Sequence, residues 1–157
     1  MDEERGADQR ALFRRWPAGV SVVVAEVDGR RAGLTVSSLV SLSLEPRLIG
    51  ISIALDSSLH EVLRDAGEWA VSILGGEQVH LAQHFARSVP PIALWNGIDV
   101  RDDDPRLLAD AVGWIVACTV DMSRTGDHSF FVGEILRLEH GRAPDSLVYV
   151  HHGYRSL

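Results

Sequence analysis

The sequence has a single cysteine, Cys118. One thiol cannot form an internal disulfide or a thiolate metal cluster, so both are excluded. Cys118 follows the apolar run Trp114-Ile115-Val116-Ala117. In that setting a small buried side chain is a better interpretation than a reactive thiol. We therefore expect Cys118 to pack inside the protein.

Long hydrophobic runs and an excess of positive charge are also missing. No segment reaches the roughly 18 apolar residues of a membrane helix, and the charged start Met1-Asp2-Glu3-Glu4-Arg5 is unlike a secretory leader. We therefore expect a cytoplasmic protein. The 15 basic and 22 acidic residues give a net charge of -7, which argues against nucleic acid or an anionic membrane as a partner.

A glycine-rich dinucleotide fingerprint and a regular strand–helix alternation are absent too, which argues against a parallel nucleotide-binding sheet. The 157 residues, of which 46% are hydrophobic, fit one domain spanning 1–157. Strand patterns joined by hairpin-sized connections dominate, and the helical patterns are few. The sequence therefore predicts a mainly β fold, an antiparallel Greek-key barrel with a few peripheral helices.

Periodicity and turn residues predict the individual elements. Helices are expected at 7–16, 58–66, 77–87 and 106–111, and strands at 20–27, 48–54, 69–74, 114–122, 130–138 and 147–151. Asp28-Gly29 predicts a tight hairpin turn, 123–127 a second turn, and Gly67 the end of a helix.

The segment from Gly33 to Pro46 alternates apolar residues with serine, threonine and glutamate. This period of two predicts that one face lies in the core, namely the face of Leu34, Val36, Val40, Leu42 and Leu44. The Ser37-Ser38 doublet interrupts the alternation, as a bend would if it turned main-chain donors towards a ligand. On composition alone, a solvated sheet face is the commoner alternative.

Ser57 and Ser58 stand where a helix should begin. Ser58, with Glu61 three residues later, fits a capping box. Free amides and the positive end of the helix dipole make such a start an anion site, to which the hydroxyls can add donors. The alternative is that Ser58 only caps the helix.

Seven separate blocks, in order and with matching approximate spacing, resemble the flavin reductase-like family. The blocks are Phe13–Val23, Gly33–Ser38, Ser41–Pro46, Ser57–His60, Gly126–His128, Phe131–Glu134 and His152–Arg155. The resemblance implies an FMN-binding split β-barrel. Many members are NAD(P)H:flavin oxidoreductases that supply reduced flavin to a separate monooxygenase. It also implies a homodimer with the flavin near the subunit interface.

The resemblance implies a set of site residues as well. His128 would lie beside the flavin in a catalytic role, positioning the nicotinamide. The cofactor-binding residues would be Thr35, Val36, Ser37, Ser38, Asp56, Ser57, Ser58, His60, His84, Phe85, Arg87 and Tyr154. The cofactor would be FMN, possibly FAD. NADH is mildly preferred over NADPH as co-substrate, because arginines for a 2′-phosphate are not evident.

One segment departs from the family pattern. Relatives commonly carry a basic residue before the phenylalanine and an Arg-Phe pair after it, whereas this chain has Gln83-His84-Phe85 followed by Ser88–Gly97. Arginine matches phosphate oxygens better than glutamine or a mostly neutral histidine. Arg87 would have to substitute, and we expect weaker or pH-sensitive flavin binding. Trp95 is a candidate for lining the site.

Two features suggest a metal site and are better explained otherwise. His80 and His84 are four residues apart, but the residues between them lack the glutamate of a zinc-protease helix and the segment offers no carboxylate or thiolate ligand. Asp102-Asp103-Asp104 should form a solvated turn, because the three carboxylates would point in different directions. No metal is expected.

Two other functions stay open at this point. One is a non-enzymatic FMN-binding electron-transfer module without a nicotinamide site. The other is a split barrel recruited to another biosynthetic reaction, which the altered segment Ser88–Gly97 would permit.

Overall fold

The computed structural model describes residues 1–87 and 89–157; Ser88, the first residue of the divergent segment, lies outside them. The helices in these ranges are α1 (Asp2–Phe13), α2 (Ser58–Ala66), α3 (Val79–Ala86) and α4 (Pro91–Leu94). The strands are β1 (Ala18–Gly19), β2 (Ser21–Val27), β3 (Arg30–Val36), β4 (Val40–Leu44), β5 (Arg47–Ala54), β6 (Glu68–Ile73), β7 (Gly113–Thr125), β8 (His128–His140), β9 (Leu147–Val150) and β10 (Gly153–Ser156).

Seven strands form one antiparallel sheet in the order β3-β2-β6-β7-β8-β5-β4. A smaller antiparallel sheet has the order β1-β9-β10. The predicted mainly β split-barrel architecture is therefore confirmed. None of the helices in the described part of the chain has both the length and the apolar character to cross a membrane.

Two tight turns set the register of the long hairpins. Asp28 and Gly29 join β2 to β3 with φ angles of 51° and 77°, the left-handed geometry that matches the twist of a two-residue hairpin. Gly126, at φ 67°, begins the turn between β7 and β8. That hairpin brings Thr125 opposite His128, so His128 lies at the end of a strand pair.

The core has two main parts, which share strand β2. Val23 and Ala25 face the first part, with Trp69, Phe131 and the α2 residue Leu59, whereas Val22 and Val24 face the second part beside α3. Both faces of this strand are buried, which explains its continuous apolar run. Gly133 allows the first part to close, because a Cβ there would lie 2.5 Å from Cζ2 of Trp69.

Two predicted helices differ from the structure. Helix α1 begins at Asp2 instead of residue 7 and ends at Phe13, since its acidic first turn suits the positive end of the helix dipole. Residues 106–111 form turns in place of a helix. Leu107 and Leu108 are both fully buried, and the Leu108 amide donates to the Ser72 hydroxyl. The predicted bounds of the first helix were therefore wrong, and so was the predicted helix at 106–111.

Smaller differences concern caps and loops. Ser57 caps α2, in place of the predicted Ser58–Glu61 box, while Gly67 ends the helix as predicted. The second turn is confined to Gly126 and Asp127, because β7 continues to Thr125. Cys118 is only half-buried.

The acidic turn 102–104 is only partly solvated. Asp104 is buried against Arg106, at 2.8 Å between Oδ2 and the guanidinium, and Asp103 pairs with Arg101 and Arg137. The prediction of a solvated turn was therefore wrong for Asp104.

Strand β4 contradicts the core prediction most clearly. Leu34 and Val36 on β3 are half-buried and buried, but Val40, Leu42 and Leu44 on β4 are exposed, Leu44 by 85%. A bulge at Leu42 shifts the register between β4 and β5. Strand β4 is also an edge of the large sheet. Its apolar face is therefore uncovered in the single chain.

Candidate functional site

The end of β5, the start of α2 and the start of β8 meet at one end of the barrel. Ala54, the last residue of β5, pairs with His128. The Leu55 amide donates to the Asp127 carbonyl at 3.0 Å, and the Ser57 amide donates back to the Ala54 carbonyl at 3.1 Å. The helix start and the predicted catalytic histidine are thus held at the same strand end.

The start of α2 is capped by Ser57, which leaves Ser58 as its exposed residue. The Ser57 hydroxyl accepts the Leu59 amide at 3.2 Å, and the Ser57 carbonyl accepts the His60 amide at 3.1 Å. Ser58, the first residue of the helix, is exposed, as is Asp56 two residues earlier. Amides and hydroxyls at a helix start suit an anion, whereas the Asp56 carboxylate disfavours one.

The Ser37-Ser38 doublet forms the predicted bend between β3 and β4, but its two hydroxyls differ. Ser38 Oγ accepts the Ser52 amide at 3.0 Å and donates to the Ser52 carbonyl at 3.1 Å. Ser37 is exposed. Ser38 therefore ties the bend to β5, and the exposed donor that the bend presents is Ser37.

Thr35 joins α3 to the barrel, and His84 joins α3 to α4. The Thr35 hydroxyl donates to the Ala82 carbonyl of α3 at 2.6 Å, and Nε2 of His84 donates to the Leu94 carbonyl at 2.6 Å. A carbonyl can only accept, so Nε2 of His84 carries a proton. Val36, the next residue after Thr35, is buried in the first part of the core. These contacts fix α3 and α4 over the end of β3.

Two residues predicted to contact the cofactor have buried side chains. Phe85 is fully buried in the second part of the core, where its ring meets Trp95 at 5.3 Å between centroids. His60 points into the first part, with Nε2 at 2.8 Å from the Ser129 hydroxyl. Trp95, the candidate lining residue, is half-buried and donates to the Arg31 carbonyl at 2.8 Å.

Arg87 and Tyr154 lie on other elements. Arg87 is exposed at the end of α3. Tyr154 belongs to β10 and packs edge-on against Tyr149 at 5.1 Å. Burial, with a smaller contribution from Tyr149, raises the pKa of Tyr154 above its ordinary value of 10.0. Neither residue belongs to the strand-end group of Ala54, Ser57 and His128.

His128 has an orienting partner. Its Nδ1 lies 2.6 Å from Oδ1 of Asp127, and both side chains reach solvent. The hydrogen bond to His128 is the main reason that the pKa of Asp127 lies below its ordinary value of 3.8. A carboxylate on Nδ1 fixes the direction of the imidazole and leaves Nε2 for a ligand.

A groove of about 440 Å³ lies at this strand end. It is lined by Ala54, Leu55, Asp56, Arg124, Gly126 and Asp127. Arg124 supplies a cation that sequence reasoning missed, and its Nε donates to the Gly126 carbonyl at 3.2 Å. The only sequence signal was an arginine two residues before the Gly-Asp-His block.

A larger cleft of about 980 Å³ lies elsewhere, and none of the predicted site residues lines it. Its Arg101 is paired with Glu139 at 3.0 Å and stacks over Trp114 at 4.3 Å. The smaller groove is the better site, because Arg124 lines it and because its lining residues Ala54 and Asp127 connect it to the start of α2 and to His128.

These features define a class of protein: a small antiparallel split barrel with a candidate binding groove at one strand end. The protein-family model described as "Flavin reductase like domain" matches residues 13–157. The chain belongs to the flavin reductase-like family.

Three similar proteins align with most of the chain. An NADH:FMN oxidoreductase from Rhodococcus qingshengii is 35% identical over 135 residues, which is 83% of this chain and 69% of the relative. The reductase component of 4-hydroxyphenylacetate 3-monooxygenase from Thermus thermophilus is 33% identical and covers 94% of both chains. The structure of the Streptomyces globisporus NADH:FAD oxidoreductase SgcE6 with NAD and FAD fragments has a TM-score of 0.89 at 26% identity, covering 98% of this chain and 93% of that one.

Proposed function

We propose that this protein is an NAD(P)H:flavin oxidoreductase that supplies reduced flavin to a monooxygenase. The observation that carries the proposal is the hydrogen-bonded junction of β5, α2 and β8, which holds the start of α2 beside His128. Family membership across residues 13–157 supports the same activity. The cofactor is FMN or FAD, and the co-substrate is NADH or NADPH.

The residues at the strand end fit a phosphorylated flavin. Ser58 would meet the phosphate with its amide and hydroxyl, and Arg124 would supply the matching charge. The end of β3 and the bend 37–38 would present main-chain donors and the Ser37 hydroxyl to the ring. When bound, the flavin supplies a ring that accepts a hydride. His60 and Phe85 would support these elements from inside the core.

The charges of the groove predict modest affinity. Asp56 and Asp127 both line it, and they oppose a phosphate that Arg124 attracts. Arg87 is exposed on another element and can assist only from a distance. A flavin held loosely can leave after reduction, which suits an enzyme that hands its product to a second protein.

We assign His128 to the nicotinamide. Its ring is oriented by Asp127 and lies one strand away from the end of β5. Hydride transfer requires the two rings to stack within about 3.5 Å, so a side chain that positions the nicotinamide contributes through orientation. No proton transfer by His128 is required.

We further propose a homodimer that covers β4. Val40, Leu42 and Leu44 form an exposed apolar surface on an edge strand. Such a strand is an association surface unless something covers it. Because β4 directly follows the bend 37–38, a second copy on this surface would lie next to the flavin. We place the reaction in the cytoplasm, where nicotinamide nucleotides are available.

Flavin titration followed by NADH addition tests the activity. Quenching of flavin fluorescence should give a saturable FMN or FAD complex. Anaerobic NADH should then bleach the oxidised flavin absorbance over many turnovers. Tight FMN binding with no bleaching would contradict the reductase and favour an electron-transfer module. Absence of flavin binding would contradict both.

A further inference from the structure

A buried hydrogen bond joins two distant parts of the chain beneath the site. Nε2 of His60 lies 2.8 Å from the hydroxyl of Ser129, 69 residues further along. His60 is 9% exposed and Ser129 is 3% exposed. The His60 ring also packs edge-on against Phe131, with 5.5 Å between ring centroids.

The two partners belong to the two halves of the proposed site. His60 is the third residue of α2, so it follows Ser58 by two positions. Ser129 is the second residue of β8 and follows His128 directly. The hydrogen bond therefore connects the helix that would hold the flavin phosphate to the strand that would hold the nicotinamide.

The strand side of this contact is already fixed. Ser129 pairs with Ile53 on β5 and with Arg124 on β7, so its backbone is held between two neighbours. The helix side is held differently: the Ser57 amide donates to the Ala54 carbonyl just before the helix, and Leu59 and Leu63 pack α2 itself onto the core by apolar contact. Apolar packing resists separation but is non-directional. A hydrogen bond has a required distance and angle, so it can set the rotation of the helix.

We propose that His60 and Ser129 are a positioning pair that sets the distance between the flavin and nicotinamide sites. This inference rests on the proposed flavin reductase activity. The pair touches neither reactant and acts through Ser58 on one side and His128 on the other. Its loss would leave each reactant bound while misplacing one relative to the other.

The principal test is Ser129→Ala, measured by steady-state kinetics and flavin titration. A small displacement of reacting rings can lower a rate roughly a hundredfold. We expect kcat to fall by roughly ten- to a hundredfold, with the flavin dissociation constant changed by less than about threefold. A fall in kcat without loss of flavin binding is a result that simple destabilisation does not produce.

The histidine side of the pair gives a second test. His60→Leu should cause a similar fall in kcat, and the double variant should be no worse than either single variant, because the two side chains make one contact. His60→Gln carries an amide that can again reach the serine, so it should recover part of kcat. Additive losses would contradict the pair.

Ser72→Ala is the matched control. Ser72 is also a fully buried serine on the large sheet, and its hydroxyl accepts the Leu108 amide at 2.9 Å. We expect it to lower the unfolding temperature while leaving kcat unchanged. The positioning role is overturned if Ser129→Ala keeps the wild-type kcat, or if Ser72→Ala loses as much. Failure of the wild-type protein to oxidise NADH would instead overturn the reductase activity itself.

Discussion

Ser38 covers the edge of β5 at Ser52 with two hydrogen bonds from one hydroxyl. It accepts the Ser52 amide and donates to the Ser52 carbonyl, at 3.0 and 3.1 Å. Strand β4 pairs with β5 only between Arg47 and Gly50, so at Ser52 the side chain takes the place of a neighbouring strand. The bend next to the proposed flavin site is thereby anchored to the barrel.

Ser38→Ala should therefore destabilise the protein. The two main-chain groups of Ser52 would lose their partner in a half-buried position, at a cost of about 1–3 kcal/mol. Urea unfolding measures the change. Ser37→Ala is the control, since Ser37 is exposed and should alter stability by no more than about 0.5 kcal/mol. Equal losses for the two variants would show that the hydroxyl does not anchor the bend.

Arg124→Gln should weaken FMN binding through the phosphate. A charge-assisted hydrogen bond contributes about 1.5–3 kcal/mol, so the dissociation constant should rise roughly tenfold or more. Riboflavin, which lacks the phosphate, should bind both proteins equally. Arg142→Gln is the control, because Arg142 lines the larger cleft. If only the Arg142 variant lost affinity, the site would lie in that cleft.

Leu42→Asp should dissociate the proposed homodimer. A carboxylate on the bulge of β4 would be desolvated when a second copy covers it, which is costly for an unpaired charge. Light scattering coupled to size exclusion reports the mass. Ile92→Asp changes an exposed apolar residue on α4 and should leave the mass unchanged. A wild-type protein that is already monomeric would remove the basis of this expectation.

Asp104→Asn should lower stability at neutral pH and much less in acid. Burial disfavours the Asp104 carboxylate, but hydrogen bonds from the Arg106 side chain and amide outweigh burial and lower its pKa below 3.8. Because the folded-state pKa is the lower one, the ionised group stabilises the protein fully above 3.8, and this contribution is lost as the pH falls through the folded-state pKa.

At pH 7 removing one partner of such a pair should cost about 3 kcal/mol. Free energies of unfolding across pH 2 to 7 should therefore converge for the wild type and the variant at the acid end, with these pH limits set roughly by the carboxyl pKa range. Asp102→Asn, at an exposed neighbour, serves as control. A difference that is independent of pH would point to lost packing in place of lost charge.

Local chemistry explains which parts of the fold the sequence could predict. Asp28-Gly29 and Gly67 have left-handed φ angles that few other residues tolerate, so the turn and the helix end were predictable. The conformation of residues 106–111 was not predictable, because it depends on residues distant in sequence. Glu68 pairs with Arg106 at 2.8 Å, and the Ser72 hydroxyl accepts the Leu108 amide.

Contacts between distant residues also limited what the sequence could predict about the site. The family resemblance indicated Ser57, Ser58 and His128, and the structure brings them to one strand end. Periodicity could not reveal that His60 turns inward to a serine 69 residues away, nor that Arg124 reaches the groove. An alternating pattern also reports only that one face of β4 is apolar. It does not say which chain covers that face.

The exposed apolar surface of β4 links the thermal stability of the protein to its concentration. If a second copy covers Val40, Leu42 and Leu44, part of the apolar burial that holds the fold together exists only in the associated form. Mass action then makes the unfolding temperature rise with protein concentration. In a cell, the concentration of the protein would then set the unfolding temperature of its chains.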